Sequence, residues 1–271
     1  MVEQRRLGPG HSVAPRRILA LALLLGAATV AVGAACADVS TDPKLVASIA
    51  LDPLPFPSIV AHDSLRDSLG VARAVSGQVY NIQGSALQGI PLRYGSPDSG
   101  VHVDTLRGYV VADSSRANGI RIFSAAGTLQ TAPDTIYIVP APDTVVQLNP
   151  TDSLLYSLTD TAAALSNPLQ FQLLHHIGVT TAVPVRSYLV SYAITYPADT
   201  VLAQLMSRDG TRRSSLDTTA SDGTSARRLR IRPLALRNAN DSVVVIATVR
   251  YHGVRVPGTP LRFVLRVKPH P

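Results

Sequence analysis

The second half of the chain alternates, residue by residue, between apolar and polar side chains, and that period of two leaves few folds open. Leu169, Phe171 and Leu173 are separated by Gln170 and Gln172. Tyr188, Val190, Tyr192, Ile194 and Tyr196 alternate with Leu189, Ser191, Ala193 and Thr195. Leu229 and Ile231 lie between Arg228, Arg230 and Arg232, and Leu261, Phe263, Leu265 and Val267 are interleaved with Arg262, Arg266 and Lys268. Successive side chains of a strand point to opposite faces, so each run offers one face to a core and one to solvent. Val243 to Val249 is apolar on both faces and reads as a central strand.

The first half repeats the pattern in shorter pieces. Strands are predicted at Leu45–Leu51, Val75–Tyr80, Ile90–Tyr94, Val101–Val103, Tyr109–Ala112, Ile120–Phe123 and Ile136–Val139. Turn chemistry separates them: Gly84, Gly89, the Ser96–Gly100 cluster, and later Asp209-Gly210 and Asp222-Gly223. Pro53, Pro55 and Pro57 interrupt pairing, because proline donates no ladder hydrogen bond. Residues 62–70 hold a short duplicated phrase, Asp-Ser-Leu, that reads as strand edge plus turn. Pro142 to Leu148 reads as linker or as the next opening strand. Composition agrees with this reading. No glutamate follows Glu3 and lysine occurs only at Lys44 and Lys268, so two good helix formers are nearly absent. Asp152 to Ser166 is the best candidate for a short helix beyond residue 36. Short strands at intervals of about 8–15 residues with turns between them indicate all-β sandwiches.

Gly89-Ile-Pro-Leu-Arg-Tyr-Gly-Ser-Pro-Asp98, Val101-His-Val-Asp104, Gly108-Tyr-Val-Val-Ala112 and Gly119-Ile-Arg-Ile-Phe123 together resemble the bacterial Ig-like (Big-type) domains of surface proteins. The order strand, residues 217–224, strand, Asp-Ser-Val-Val-Val-Ile-Ala, strand, closed by Pro257-Gly-Thr-Pro-Leu-Arg-Phe, resembles the same family a second time. The resemblance implies two tandem Ig-like β-sandwiches. With the leader described next, the expected layout is a helical signal segment at 1–35, a tether at 36–44, a first sandwich at 45–142 and a second at 143–271.

Arg5, Arg6, Arg16 and Arg17 precede an uncharged stretch, Ile18 to Val32, which small residues Gly33, Ala34 and Ala35 close. Basic, apolar, then small is the order of a secretory signal. The apolar core of about 15 residues is shorter than the roughly 20 of a transmembrane helix, although Gly33 to Ala37 would extend it to that length if the leader stayed uncleaved. Cys36 is the only cysteine in the chain. Gly33-Ala34-Ala35-Cys36 resembles the lipobox of bacterial lipoproteins, departing from it at Gly33, where the family prefers Leu or Val. The resemblance implies that Cys36 is the lipid attachment site and new N-terminus, and the Ala37 that follows implies outer-membrane sorting. Cleavage near Ala35 or Ala37 with Cys36 incidental is the alternative.

From Cys36 onward the chain carries 21 basic and 17 acidic residues. They divide unevenly, 7 basic against 10 acidic in 36–146 and 14 against 7 in 147–271. Arg228, Arg230 and Arg232 therefore mark a candidate surface for an anionic partner, such as an acidic glycan, through electrostatic attraction. The competing reading is a solvated strand face that discourages edge-to-edge aggregation. No catalytic residue is assigned: there is no Gly-x-Ser-x-Gly elbow and no phosphate-cradling glycine loop. No metal site and no cofactor are assigned either. His62, His102 and His252 lack ligand spacing, and His175-His176, as strand neighbours, should face opposite ways. The single aspartates in Asp-Ser, Asp-Thr and Asp-Gly steps fit turns better than calcium.

These readings converge on a non-enzymatic, lipid-anchored envelope or surface protein serving as interaction module or spacer. It would meet the membrane through Cys36, with an envelope protein or acidic glycan as partner and no specific nucleic acid. A glycan- or polypeptide-binding subunit of an envelope assembly is the runner-up, and a hydrolase with a cryptic site the remote third.

Overall fold

A computed structural model describes residues 44–114, 119–149, 151–156, 164–197, 203–231 and 242–269. The predicted signal segment, Cys36 and Arg232 lie outside the described residues. Every regular element among the described residues is a strand, and no helix there is long and apolar enough to cross a membrane.

The first sandwich contains β1 (Ser48–Leu51), β2 (Ser58–Val60), β3 (Gly77–Tyr80), β4 (Ala86–Leu87), β5 (Arg93–Gly95), β6 (Val101–Val103), β7 (Val110–Ala112), β8 (Gly119–Ala126), β9 (Leu129–Gln130) and β10 (Asp134–Val139). One sheet runs β1-β3-β4 and the other β2-β10-β8-β5, with β9 beside β8 and β6 paired to β7. The three prolines between β1 and β2 have a clear effect. They end pairing on the first sheet, where β1 is antiparallel to β3, and let the chain resume on the second, where β2 is parallel to β10. Alternation along β8 and β10 buries Ile120, Ile122, Ile136 and Ile138. The expected Ile90–Tyr94 strand is shorter than predicted: pairing to β8 begins at Arg93, after Pro91.

The second sandwich contains β11 (Thr144–Gln147), β12 (Thr151–Tyr156), β13 (Ala164–Leu165), β14 (Leu169–Ile177), β15 (Thr181–Pro184), β16 (Leu189–Tyr196), β17 (Ala203–Met206), β18 (Leu216–Thr218), β19 (Thr224–Ile231), β20 (Ser242–Thr248), β21 (Arg250–Tyr251), β22 (Val254–Arg255) and β23 (Leu261–Pro269). One sheet runs β11-β14-β19-β13, with β15 on β14 and β17 on β19, and the other β12-β23-β20-β16-β18. Its opening repeats that of the first sandwich. The first strand segment is antiparallel within one sheet and the next, β12, is parallel to the last strand, β23, of the other. Two sheets of such strand order, joined by crossing connections, make an Ig-like sandwich. The fold is all-β, with two of these in tandem.

Period-two alternation places Phe171, Leu173, Leu229 and Ile231 of one sheet against Val190, Tyr192, Val243, Val245, Phe263 and Leu265 of the other, all buried. The ring centroids of Phe171 and Tyr192 are 6.1 Å apart across the core. β20 pairs on both sides, with β23 and β16, as its two apolar faces lead one to expect. The predicted helix at Asp152–Ser166 is corrected: its opening residues are β12, paired over six positions with β23, and Leu154 enters the core. That partner lies more than a hundred residues away, so local helix preference yields to a distant ladder.

Candidate functional site

Two places in the fold concentrate charged side chains: the junction between the sandwiches, and a groove beside β17 and β18. The buried apolar cluster runs without a break from one sandwich to the other. Phe56, in the proline segment before β2, meets Tyr188, just before β16, edge to face at 5.1 Å between centroids. The Tyr188 hydroxyl donates to the Arg250 carbonyl at 2.9 Å. The Arg186 guanidinium lies 4.5 Å over the Tyr137 ring of β10. Loops 67–70 and 251–254 approach backbone to backbone. Gly70 has φ +83°, and a Cβ there would fall 2.2 Å from the Gly253 nitrogen, so only glycine fits.

Asp63 is the polar centre of this junction. It accepts from Arg66 Nε and Nη2 at 2.9 Å each and from the Ser64 N–H at 2.8 Å. His252 Nε2 of the second sandwich lies 2.6 Å from Oδ2, the oxygen that Arg66 Nε also reaches. Burial alone would raise the Asp63 pKa, but the hydrogen bonds from Arg66, His252 and the Ser64 backbone outweigh it and hold the carboxyl below its ordinary value. A carboxyl so depressed stabilises the fold above its unfolded pKa of roughly 3.9, and that contribution is lost as pH falls through the lower folded value. Thermal melts taken from about pH 6 to about pH 2 should show the intact protein losing more stability in the acid window than Asp63→Asn. Parallel profiles for the two proteins would contradict the assignment.

The predicted basic face divides in the structure. Leu229 and Ile231 enter the core, and Arg228 and Arg230 lie half-buried on the outer side of β19. Arg228 Nε donates to the Arg208 carbonyl at 2.9 Å, and Arg230 Nη2 to the Gly210 carbonyl at 3.0 Å. Both guanidiniums thus fasten the turn that follows β17. That turn is also braced from within: the Asp209 carboxylate accepts from the Ser207 hydroxyl, from the Thr211 N–H at 3.1 Å and from the Thr211 hydroxyl at 2.8 Å. These bonds hold its pKa down to about 2.

Below the turn lies an open groove of about 660 Å³, with Arg208, Arg212 and Arg213 at its mouth and Arg227 and Asp217 at its floor. Arg227 shares the inward parity of Leu229 and its side chain is only 8% exposed. Its Nη1 meets Asp217 Oδ1 at 2.8 Å, and its Nη2 donates to the Leu216 carbonyl. The second Asp217 oxygen accepts from the Ser225 hydroxyl at 2.9 Å and from the Ala226 N–H at 2.8 Å. The Ser225 hydroxyl lies 2.9 Å from the Tyr192 hydroxyl, and burial raises the pKa of that tyrosine. The result is a buried network joining the two sheets.

His175 and His176 share a neighbour. Their Nδ1 atoms stand 3.4 Å and 2.9 Å from the two oxygens of Asp143, at the entrance to β11. Burial pushes the Asp143 pKa up, and the His176 N–H and ring with the Thr144 hydroxyl more than reverse it. Among the described residues no group of three His, Cys, Asp or Glu is placed to hold a metal ion.

No family model matches the chain, and no curated protein does. Among solved structures it is similar to domains 4 and 5 of the S-layer protein SbsC, at 12% identity and TM-score 0.28, covering 82% of this chain and 98% of that one. The Yersinia pseudotuberculosis adhesin InvE gives 12% identity and TM-score 0.29, with 81% of this chain and 58% of that one covered. Human protocadherin-24 EC1-2 gives 13% and 0.26, with 83% and 100% covered. At these TM-scores the fold assignment rests on strand order and burial.

Proposed function

We propose that this chain is a non-enzymatic envelope protein in which two Big-type Ig-like sandwiches act as a rigid spacer and interaction module, tethered to a bilayer through lipid on Cys36. The observation that carries the reading is the junction. Phe56 on Tyr188, Arg186 over Tyr137, and Asp63 shared by Arg66 and His252 join the sandwiches by apolar, cation–π and ionic contacts at once. Such a joint transmits orientation, which suits a module that holds a surface away from a membrane. The groove chemistry supports the non-enzymatic part. Its carboxylates are already engaged, Asp209 by its own turn and Asp217 by Arg227, and among the described residues no histidine lines it.

The leader supports the anchor. Each lipid CH₂ buried contributes about 0.8 kcal/mol, so several acyl chains hold a protein firmly on a bilayer. Cys36→Ala, expressed in a bacterium that processes lipoproteins, should move the protein from the membrane to the soluble envelope fraction. Retention of the variant in the membrane to the same extent as wild type would overturn lipid anchoring.

A further inference from the structure

Beside this basic groove lies a second, apolar one of about 600 Å³, lined by Ile194, Ala203, Leu205 and Leu216. The two share the strip Arg213, Ser214 and Leu216, so a basic surface and an aliphatic one adjoin. We propose that this pair of adjoining grooves is the docking site for an extended polypeptide segment in which an acidic side chain stands beside an aliphatic one. The inference rests on reading the chain as an interaction module and names the partner class for it. Its failure would leave the anchor and the spacer role standing.

Charge complementarity carries the argument. Three exposed arginines, Arg208, Arg212 and Arg213, face the basic groove, and both carboxylates there are satisfied internally, so a net positive surface is left for a ligand. The floor is rigid. Arg227 is more than nine-tenths buried and held by Asp217, by the Ala226 and Leu216 carbonyls and by Ser214, so it gives the groove a fixed wall while the exposed arginines carry the charge. The aliphatic groove then separates a peptide from a sugar polymer. Its aromatic residue, Tyr192, is 2% exposed with its hydroxyl tied to Ser225, so no ring face is available for a pyranose to stack on. Leu216, half-exposed at the boundary between the two grooves, offers instead the kind of surface a Leu or Val side chain covers.

The test uses the purified full-length chain in detergent and two fluorescein-labelled octapeptides, one alternating Asp and Leu, the other Asp and Ser, with polygalacturonate as the glycan arm. Anisotropy at low salt should show the Asp–Leu peptide bound about tenfold more tightly than the Asp–Ser peptide, and polygalacturonate should fail to displace it at equal carboxylate concentration. Arg212→Ser/Arg213→Ser should weaken binding about tenfold or more, whereas Arg262→Ser/Arg266→Ser, removing the same charge from the outer face of β23, should change it less than about twofold. Equal losses in the two double variants would mean diffuse charge attraction and overturn the site. No binding of the Asp–Leu peptide, its binding no tighter than that of the Asp–Ser peptide, or its displacement by polygalacturonate would also overturn it.

Discussion

Replacing Asp217 with alanine should destabilise the protein by about 3–5 kcal/mol, because it strands a buried cation. The Arg227 side chain is 8% exposed, and Asp217 is the carboxylate that neutralises it at 2.8 Å. The same carboxylate also accepts from Ser225 and from the Ala226 N–H, so three donors lose their acceptor together. Denaturant melts should show the midpoint falling with the slope unchanged, the mark of a native-state loss. The double variant Asp217→Ala/Arg227→Leu should recover most of the stability, since replacing both members of a buried pair with apolar groups is often neutral. If the single variant melts with wild type, the pair is hydrated and the network does not join the sheets.

Phe56→Ala should cost about 3–5 kcal/mol by opening a cavity at the sandwich junction. Phe56 is 8% exposed, and its edge-to-face partner Tyr188 belongs to the other sandwich, so the vacated space lies between two bodies rather than inside one. Sandwiches that depend on this contact should begin to melt separately. Calorimetry of wild type should give one transition, and Phe56→Ala two. One unshifted transition in the variant would mean that the aromatic contact is dispensable.

Much of the architecture was legible in the sequence, because alternation is a local property. The strands bearing Phe171, Val190, Leu229 and Phe263 follow directly from period two, and the central place of β20 from its being apolar on both faces. What alternation does not show is pairing. Asp152 to Tyr156 has the local look of a helix start, and becomes a strand only through β23, far along the chain. The same blindness hid the groove. Arg227 has the parity of Leu229 and Ile231, so the sequence did carry a signal that it points inward. Its partner Asp217 sits across a turn on β18, and nothing local ties the two together. Reading Arg228, Arg230 and Arg232 as one basic face also treated outward parity as exposure, whereas Arg228 and Arg230 bend onto carbonyls of the neighbouring turn. His175 and His176 meet at Asp143 because β11 brings that carboxylate to the end of β14, a contact set by register.

The central claim is that the two sandwiches are held as one rigid body. Pulsed electron paramagnetic resonance tests it most directly, with Cys36 replaced by alanine and spin labels on cysteines at the exposed positions Gln83 and Val179, one in each sandwich. The account predicts a single narrow distance distribution at neutral pH that broadens in Phe56→Ala. A broad distribution in the Phe56 protein, unchanged by the substitution, would contradict it.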